Sequence, residues 1–329
     1  MCIRDSAIPL LSIRAHRLRG GGDSIPAATP LLLNAVARHY FLNMQNMNII
    51  KRNFLRLLRA GAFEEETAIE PMSKFKWEII FHVANIHNVV GVIFRGAEKC
   101  KDSEGVIPND IIDKYRKIID DNEPASTHNS QLAQRPILNL PDAGLSHMCN
   151  RFLNSRLQTI RENEPAAEDA SIETLNMLDI LVQATECTMT YGLSFANILR
   201  IGIFLRTEGD KVDFIKLEKW LRRLNISKMA QLEGSILIEM FGFEPDEIPF
   251  VDHIEPNARK IAIQALEKPI KIDIEEWKIS QTSTIFITNN SKAMMKTIKN
   301  CMKYFFFAPV EASSNFLHRF ANSLSNLEE

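Results

Sequence analysis

The apolar spacing of this chain predicts an all-α fold, with room for at most a small β-hairpin near residues 270–288. Three observations carry that prediction. Phe214, Leu217, Leu221 and Leu224, and then Met229, Leu232, Ile236 and Met240, recur at three- and four-residue steps, the signature of one helical face. Helix punctuation stands where these runs begin and end: Asp213 as N-cap, Gly242 as stop, and Ser171 as N-cap of an earlier run from Ile172. Two-residue alternation, the mark of a strand, is confined to Ile270, Ile272 and Ile274 and to Ile285 and Ile287.

A chain of 329 residues that is 45% hydrophobic and 24% charged can bury a sizeable core. Its 39 basic and 41 acidic side chains leave a formal net charge of -2, so no global electrostatic drive toward nucleic acid or an anionic membrane exists, and nucleic acid is not an expected partner. The five cysteines, Cys2, Cys100, Cys149, Cys187 and Cys301, are widely spaced and never form a C-x-x-C pair. That pattern suits reduced thiols and a cytoplasmic protein, and argues against zinc. No apolar run approaches the roughly 18 residues that a membrane span requires.

Residues 1–46 are expected to be a disordered or artefactual leader. The opening Met1-Cys2-Ile3-Arg4-Asp5-Ser6 resembles a translated sequencing adapter, and Gly20-Gly21-Gly22 with Pro26 and Pro30 breaks any period. Met44 or Met47 is the expected start. An N-terminal helical part then covers 47–119. Ile50, Phe54, Leu57 and Leu58 share a face, Lys51, Arg52, Arg56 and Arg59 lie largely elsewhere, and Gly61 is the expected helix stop. The basic face could touch phosphate or lipid head groups, but a solvated face partly neutralised by Glu64, Glu65 and Glu66 is the simpler reading. A second helix is expected from Lys74 to Ile86 with Trp77, Ile80, Phe81 and Ala84 inward, and a third over Val89–Lys101. His82 and His87 stand five apart, a spacing that does not put two imidazoles on one helical face, so both read as interfacial rather than metal-binding.

Residues 120–146, with Pro124, Pro136, Pro141 and Gly144, read as a linker. The C-terminal helical part, 147–329, contains the runs described above, with Trp220 expected on the buried side beside Leu217 and Leu221. It ends in helices carrying Met295, Ile298, Met302 and Phe305 and, after Pro309, Phe316, Leu317, Phe320 and Leu324. Lys292, Lys296, Lys299 and Lys303 repeat at steps of four, three and four and are followed by Tyr304, Phe305, Phe306 and Phe307. This stripe is the candidate anion patch, with a solvated lysine face as the simpler reading. No G-x-S-x-G elbow is present, and no catalytic or metal-binding residue is assigned.

Gly192-Leu193-Ser194, Phe204-Leu205-Arg206, Gly209-Asp210-Lys211-Val212-Asp213-Phe214, Trp220-Leu221, Ala230-Gln231-Leu232 and Asp246-Glu247-Ile248-Pro249-Phe250 occur in that order. This succession resembles the C-terminal helical part of a bacterial family of uncharacterised nucleotidyltransferases, and Asn53–Leu58 with the Trp77 helix is similar to its N-terminal part. The resemblance implies nucleotide transfer by a small αβ core inserted between the two. Such a core needs a Gly-Ser turn for triphosphate and carboxylates two apart for Mg²⁺. The interval Asp120–Ser171 contains no Gly-Ser and no Asp-x-Asp pair, so the expectation is a non-catalytic relative that serves as a helical binding or accessory protein for a protein partner. No cofactor is then expected; Mg²⁺ and a nucleoside triphosphate belong only to the alternative of an active enzyme with an unrecognised site. Two partial imitations exist: Gly234-Ser235 followed by Glu244-Pro245-Asp246, read as helix packing, and Asp273 with Glu275, read as a solvated strand face.

Overall fold

The computed structural model describes residues 47–100, 107–108, 110–113, 116–117, 138, 140, 142–267 and 298–325. The expected leader 1–46, the expected hairpin at 270–288 with Asp273 and Glu275, Lys292, Lys296 and most of the expected linker 120–146 lie outside the described residues. Tyr40–Glu329 forms one compact unit. Every regular element among its described residues is helical, as the three- and four-residue apolar steps require.

Helix α1 (Ile49–Phe63) starts at Asn48, whose side-chain oxygen accepts the Ile50 N–H at 3.2 Å. It does not stop at Gly61. The helix continues to Phe63, and Glu64 adopts the left-handed conformation at φ 61° instead. Packing supplies the reason. After α2 (Lys74–Ile86), helix α3 (Val90–Lys99) crosses α1 with Gly96 against Gly61. A Cβ on Gly61 would lie 2.0 Å from the Val92 carbonyl oxygen, and one on Gly96 would lie 2.1 Å from that of Leu57. Both glycines are therefore spent on bringing two backbones together, a role that overrides the usual stop signal.

Helix α4 (Arg151–Asn163) is capped by Asn150, which accepts from the N–H groups of Phe152 and Leu153 at 3.1 Å each. Helix α5 (Ile172–Tyr191) is capped by Ser171, whose Oγ accepts from the Thr174 N–H. Leu175, Leu178, Leu181, Val182 and Met189 bury its circumference on several sides, so it serves as the central strut of the C-terminal helices. Packed on it are α6 (Phe195–Glu208) and α7 (Phe214–Arg223), followed by α8 (Ser227–Phe241). The α7–α8 hairpin has the expected limits: Asp213 accepts from the Lys216 N–H at 2.9 Å, and Gly242 ends α8 at φ 69°. Trp220 departs from expectation. Leu217 and Leu221 are fully buried, whereas Trp220 is only half-buried at the margin of the core, one step off the Leu217–Leu221–Leu224 seam.

Helical segments at 258–267 and 298–304 follow, and α9 (Pro309–Ser325) begins on its proline, which needs no N–H partner there. The helices before residue 120 and after 146 share aromatic contacts. Phe54 meets Phe195 edge-on at 6.1 Å, and Phe63 meets Phe241 at 5.9 Å and Phe243 at 5.2 Å. The return into α4 is held by a buried ion pair. Arg161 donates to Asp179 at 2.8 and 2.9 Å and to the Ser146 carbonyl at 2.9 Å. Burial nevertheless raises the Asp179 carboxyl above its usual range, with Arg161 opposing.

Candidate functional site

The basic face of α1 is consumed internally. Arg52 and Arg56 both bind Glu70, Arg59 binds Glu65, and Lys51 reaches Glu267. Of the three glutamates expected to neutralise it, Glu65 does so, whereas Glu64 faces Lys99 and Arg95 of α3. A face whose four cations are each held by an acid, Arg52 and Arg56 sharing Glu70, has little left for lipid or phosphate.

A cleft of about 690 Å³ is built around the start of α8. Lys228 stands in the first turn of α8 and Gln231 one turn later. The chain after Phe250 folds back across this face because Gly234 leaves a notch: a Cβ there would come within 2.4 Å of Val251. Ser235 Oγ accepts the Glu255 N–H at 2.9 Å and donates to the Gln231 carbonyl at 2.6 Å, and Gln231 bonds to the His253 ring at 2.8 Å. Those bonds set His253 and Glu255 in the wall. The 258–267 helix adds Lys260 and Ile261; the 298–304 helix and the turn after it add Lys303, Phe306 and Phe307. Lys303 Nζ lies 5.1 Å from the Tyr304 ring centroid.

Three lysines thus face one glutamate in the lining, and among the described residues Lys228 and Lys260 enter no ion pair. The apolar side is extended by Phe305, whose ring packs edge-on against Phe306 at 6.0 Å. Phe306 is 78% exposed, Met302 72% and Phe305 43%. Such a surface can attract and hold an anionic group beside an apolar one.

Only Lys303 of the expected anion stripe reaches this cleft. Lys299 is exposed outside its lining, and Lys292 and Lys296 lie outside the described residues. Lys228 and Lys260 share no period with Lys303, so no sequence spacing groups them; the tertiary fold lines one cleft with all three.

The histidine and cysteine readings can be placed as well. His87 is buried, its ring 3.3 Å from the Ala265 carbonyl, and burial lowers its pKa to about 4, as suits a neutral packing residue. Burial raises the thiol pKa of Cys187, and Cys301 is buried against the Met189 carbonyl at 3.8 Å, so neither has the surroundings of an activated thiolate. One buried acid stands apart. Glu233 of α8 is wholly inaccessible, neither carboxyl oxygen has a hydrogen-bond partner, and burial lifts its pKa well above the carboxylate range. Asn197 Oδ1 on α6 is also buried without a hydrogen-bond partner.

A magnesium–nucleotide site of the kind the resemblance implies does not fit the described residues. Gly234-Ser235 is internal to α8, with the space above Gly234 filled by Val251, Ile248 and Phe250. Asp246 is exposed on the short turn Pro245–Glu247, where Glu247 closes the turn by accepting the Glu244 N–H at 2.8 Å and the Arg206 Nε–H at 3.1 Å. Among the described residues no three His, Cys, Asp or Glu side chains are grouped so as to hold a metal, and no helix is long and apolar enough to cross a membrane. No protein-family description matches the chain, and no curated protein or solved structure is found to be similar to it.

Proposed function

We propose that this protein works by binding, as a helical accessory protein, and does not transfer nucleotides. The observation that carries the reading is the cleft at the start of α8. Its lining offers ammonium groups from Lys228, Lys260 and Lys303 and the faces of Phe306 and Phe307, with no nucleophile–base pair and no paired carboxylates. Ammonium and aromatic groups supply affinity and orientation; transfer chemistry would further require preorganised stabilisation of a developing charge at a reacting centre. The sequence resemblance to nucleotidyltransferases fits a relative that kept the helical parts. A protein is the favoured partner, because exposed Phe and Met are side chains that protein interfaces concentrate at their centre.

The test has two arms. Purified protein is incubated with labelled nucleoside triphosphates, Mg²⁺ or Mn²⁺, and a panel of sugar phosphates and protein acceptors, and the expected result is no transfer. Metal-dependent transfer abolished by Asp246→Ala or Asp273→Ala would overturn the reading. The second arm is affinity capture from the native cell followed by crosslinking, with crosslinks expected at Lys228, Lys260 or Lys303.

A further inference from the structure

We propose that the cleft at the start of α8 docks an acidic, apolar-bearing segment of a partner protein, with carboxylates set between Lys228, Lys260 and Lys303 and apolar side chains laid on Phe306 and Phe305. This inference rests on the binding reading above and specifies its occupant.

Charge complementarity is the first argument. The three lysines come from three different elements, the start of α8, the 258–267 helix and the 298–304 helix, yet they converge on one cleft whose only acidic lining residue among the described ones is Glu255. On the α1 face the basic residues are matched by Glu70, Glu65 and Glu267, whereas Lys228 and Lys260 enter no ion pair among the described residues. Lys228 also sits at the N-terminal end of its helix, where the helix dipole disfavours a cation. A basic residue kept there gains from a negative partner, because the dipole and the ammonium group then act on it together.

Shape and apolar surface supply the second argument. A cavity of about 690 Å³ is large enough for a few side chains, and it opens directly onto Phe306 and, through the edge-on ring contact, onto Phe305. A contiguous exposed apolar patch rimmed by charge marks an interaction site, and the ring faces give large contact area for little lost rotamer freedom. A small anion would use the lysines and leave these rings in water; an extended segment uses both. A polyphosphate chain would likewise use the lysines and leave the exposed rings of Phe305 and Phe306 in water.

The test uses the full chain and three labelled peptides of about 12 residues, a length that in extended form spans both cleft and patch. One alternates Glu with Leu and carries a central Phe; the second replaces Glu by Lys; the third keeps Glu and replaces the apolar residues by Ser. Fluorescence anisotropy should show the first binding at least about tenfold more tightly than either counterpart, and weakening as salt rises from about 50 to about 200 mM. The exposed changes Lys228→Glu with Lys260→Glu should remove at least about tenfold of that affinity with unchanged far-ultraviolet circular dichroism, and Phe306→Ser should reduce the first peptide to the level of the third. Equal binding of all three peptides, or no effect of the charge reversals, overturns the proposal. Tighter binding of random single-stranded DNA or of phenyl phosphate, lost on the same reversals, overturns it in favour of nucleic acid or a small anion. Crosslinks from the cleft to a basic or uncharged segment of a captured partner would overturn the acidic occupant while leaving the binding reading intact.

Discussion

Replacing Glu233 by Met should stabilise the protein, and by an amount that grows with pH. Glu233 lies inside α8, within electrostatic reach of Cys187 of α5 and of Tyr304, whose pKa values burial raises first and the Glu233 charge adds to. With neither oxygen partnered, the acid forfeits hydrogen bonds it made to water, at a cost of about 1–3 kcal/mol even when protonated. Burial lifts its folded pKa well above its unfolded value. The sign follows by linkage. Below the unfolded pKa both states hold the proton and only the first cost applies. As pH rises above it the unfolded chain releases a proton that the folded protein retains, so stability falls by up to about 1.4 kcal/mol per pH unit until the folded pKa is reached. Met fills a similar volume and neither titrates nor needs a partner. Urea unfolding at pH 5, 6, 7 and 8 should therefore show Glu233→Met above wild type by about 1–3 kcal/mol at pH 5, widening toward pH 8, and Glu233→Gln should remove the widening while keeping the constant part. Comparing variants at each pH cancels the other buried acids, Asp179 and Glu311, whose pKa values burial also raises. A Met variant less stable than wild type by the same amount at every pH would refute the reasoning, since it would mean that the carboxyl is satisfied in the folded protein.

Two further changes probe packing. Gly96→Ala, which drives a methyl group into the Leu57 carbonyl, should cost at least about 2 kcal/mol in chemical denaturation, because the obstacle is backbone and cannot rotate aside. A midpoint equal to wild type would show that α1 and α3 do not touch there. Trp220→Ala should cost about 1–2 kcal/mol, against about 3–5 kcal/mol for the fully buried Trp77→Ala, since the half-buried ring has less apolar surface to return to water. Equal losses would place Trp220 in the core after all.

Much of the fold was legible because its signals are local. Asp213 and Ser171 cap helices through their own side chains, and Gly242 takes the left-handed stop that its place after Phe241 suggests. Such features depend on three or four adjacent residues. Gly61 failed because its role is set by a partner 35 positions away: Gly96 of α3 claims it for close packing, and Glu64 accepts the left-handed conformation in its place. Trp220 failed for a related reason. Helical spacing defines a seam to within one residue on either side, and whether a flanking side chain is covered depends on which helix lies opposite.

The same distinction decides which basic surface can act as a site. By sequence, α1 and the stripe from Lys292 to Lys303 look alike, each a set of cations at helical spacing. What separates a site from a neutralised face is the position of acids distant in the chain. Glu70 lies 18 residues from Arg52 and Glu267 lies 216 from Lys51, and both close on α1. At the α8 cleft the convergence has the opposite sense: the Gly234 notch lets residues 251–257 cross the helix, and the cleft beside that crossing is lined by Lys228, Lys260 and Lys303, with Glu255 the one acid of its lining among the described residues. Gly234, which by its Gly-Ser pair imitated a phosphate-binding turn, therefore does contribute to a basic site. It does so by giving way to Val251 rather than by presenting its N–H, and Gly234→Val, unlike Lys260→Glu, would disturb the cleft and the helix packing together.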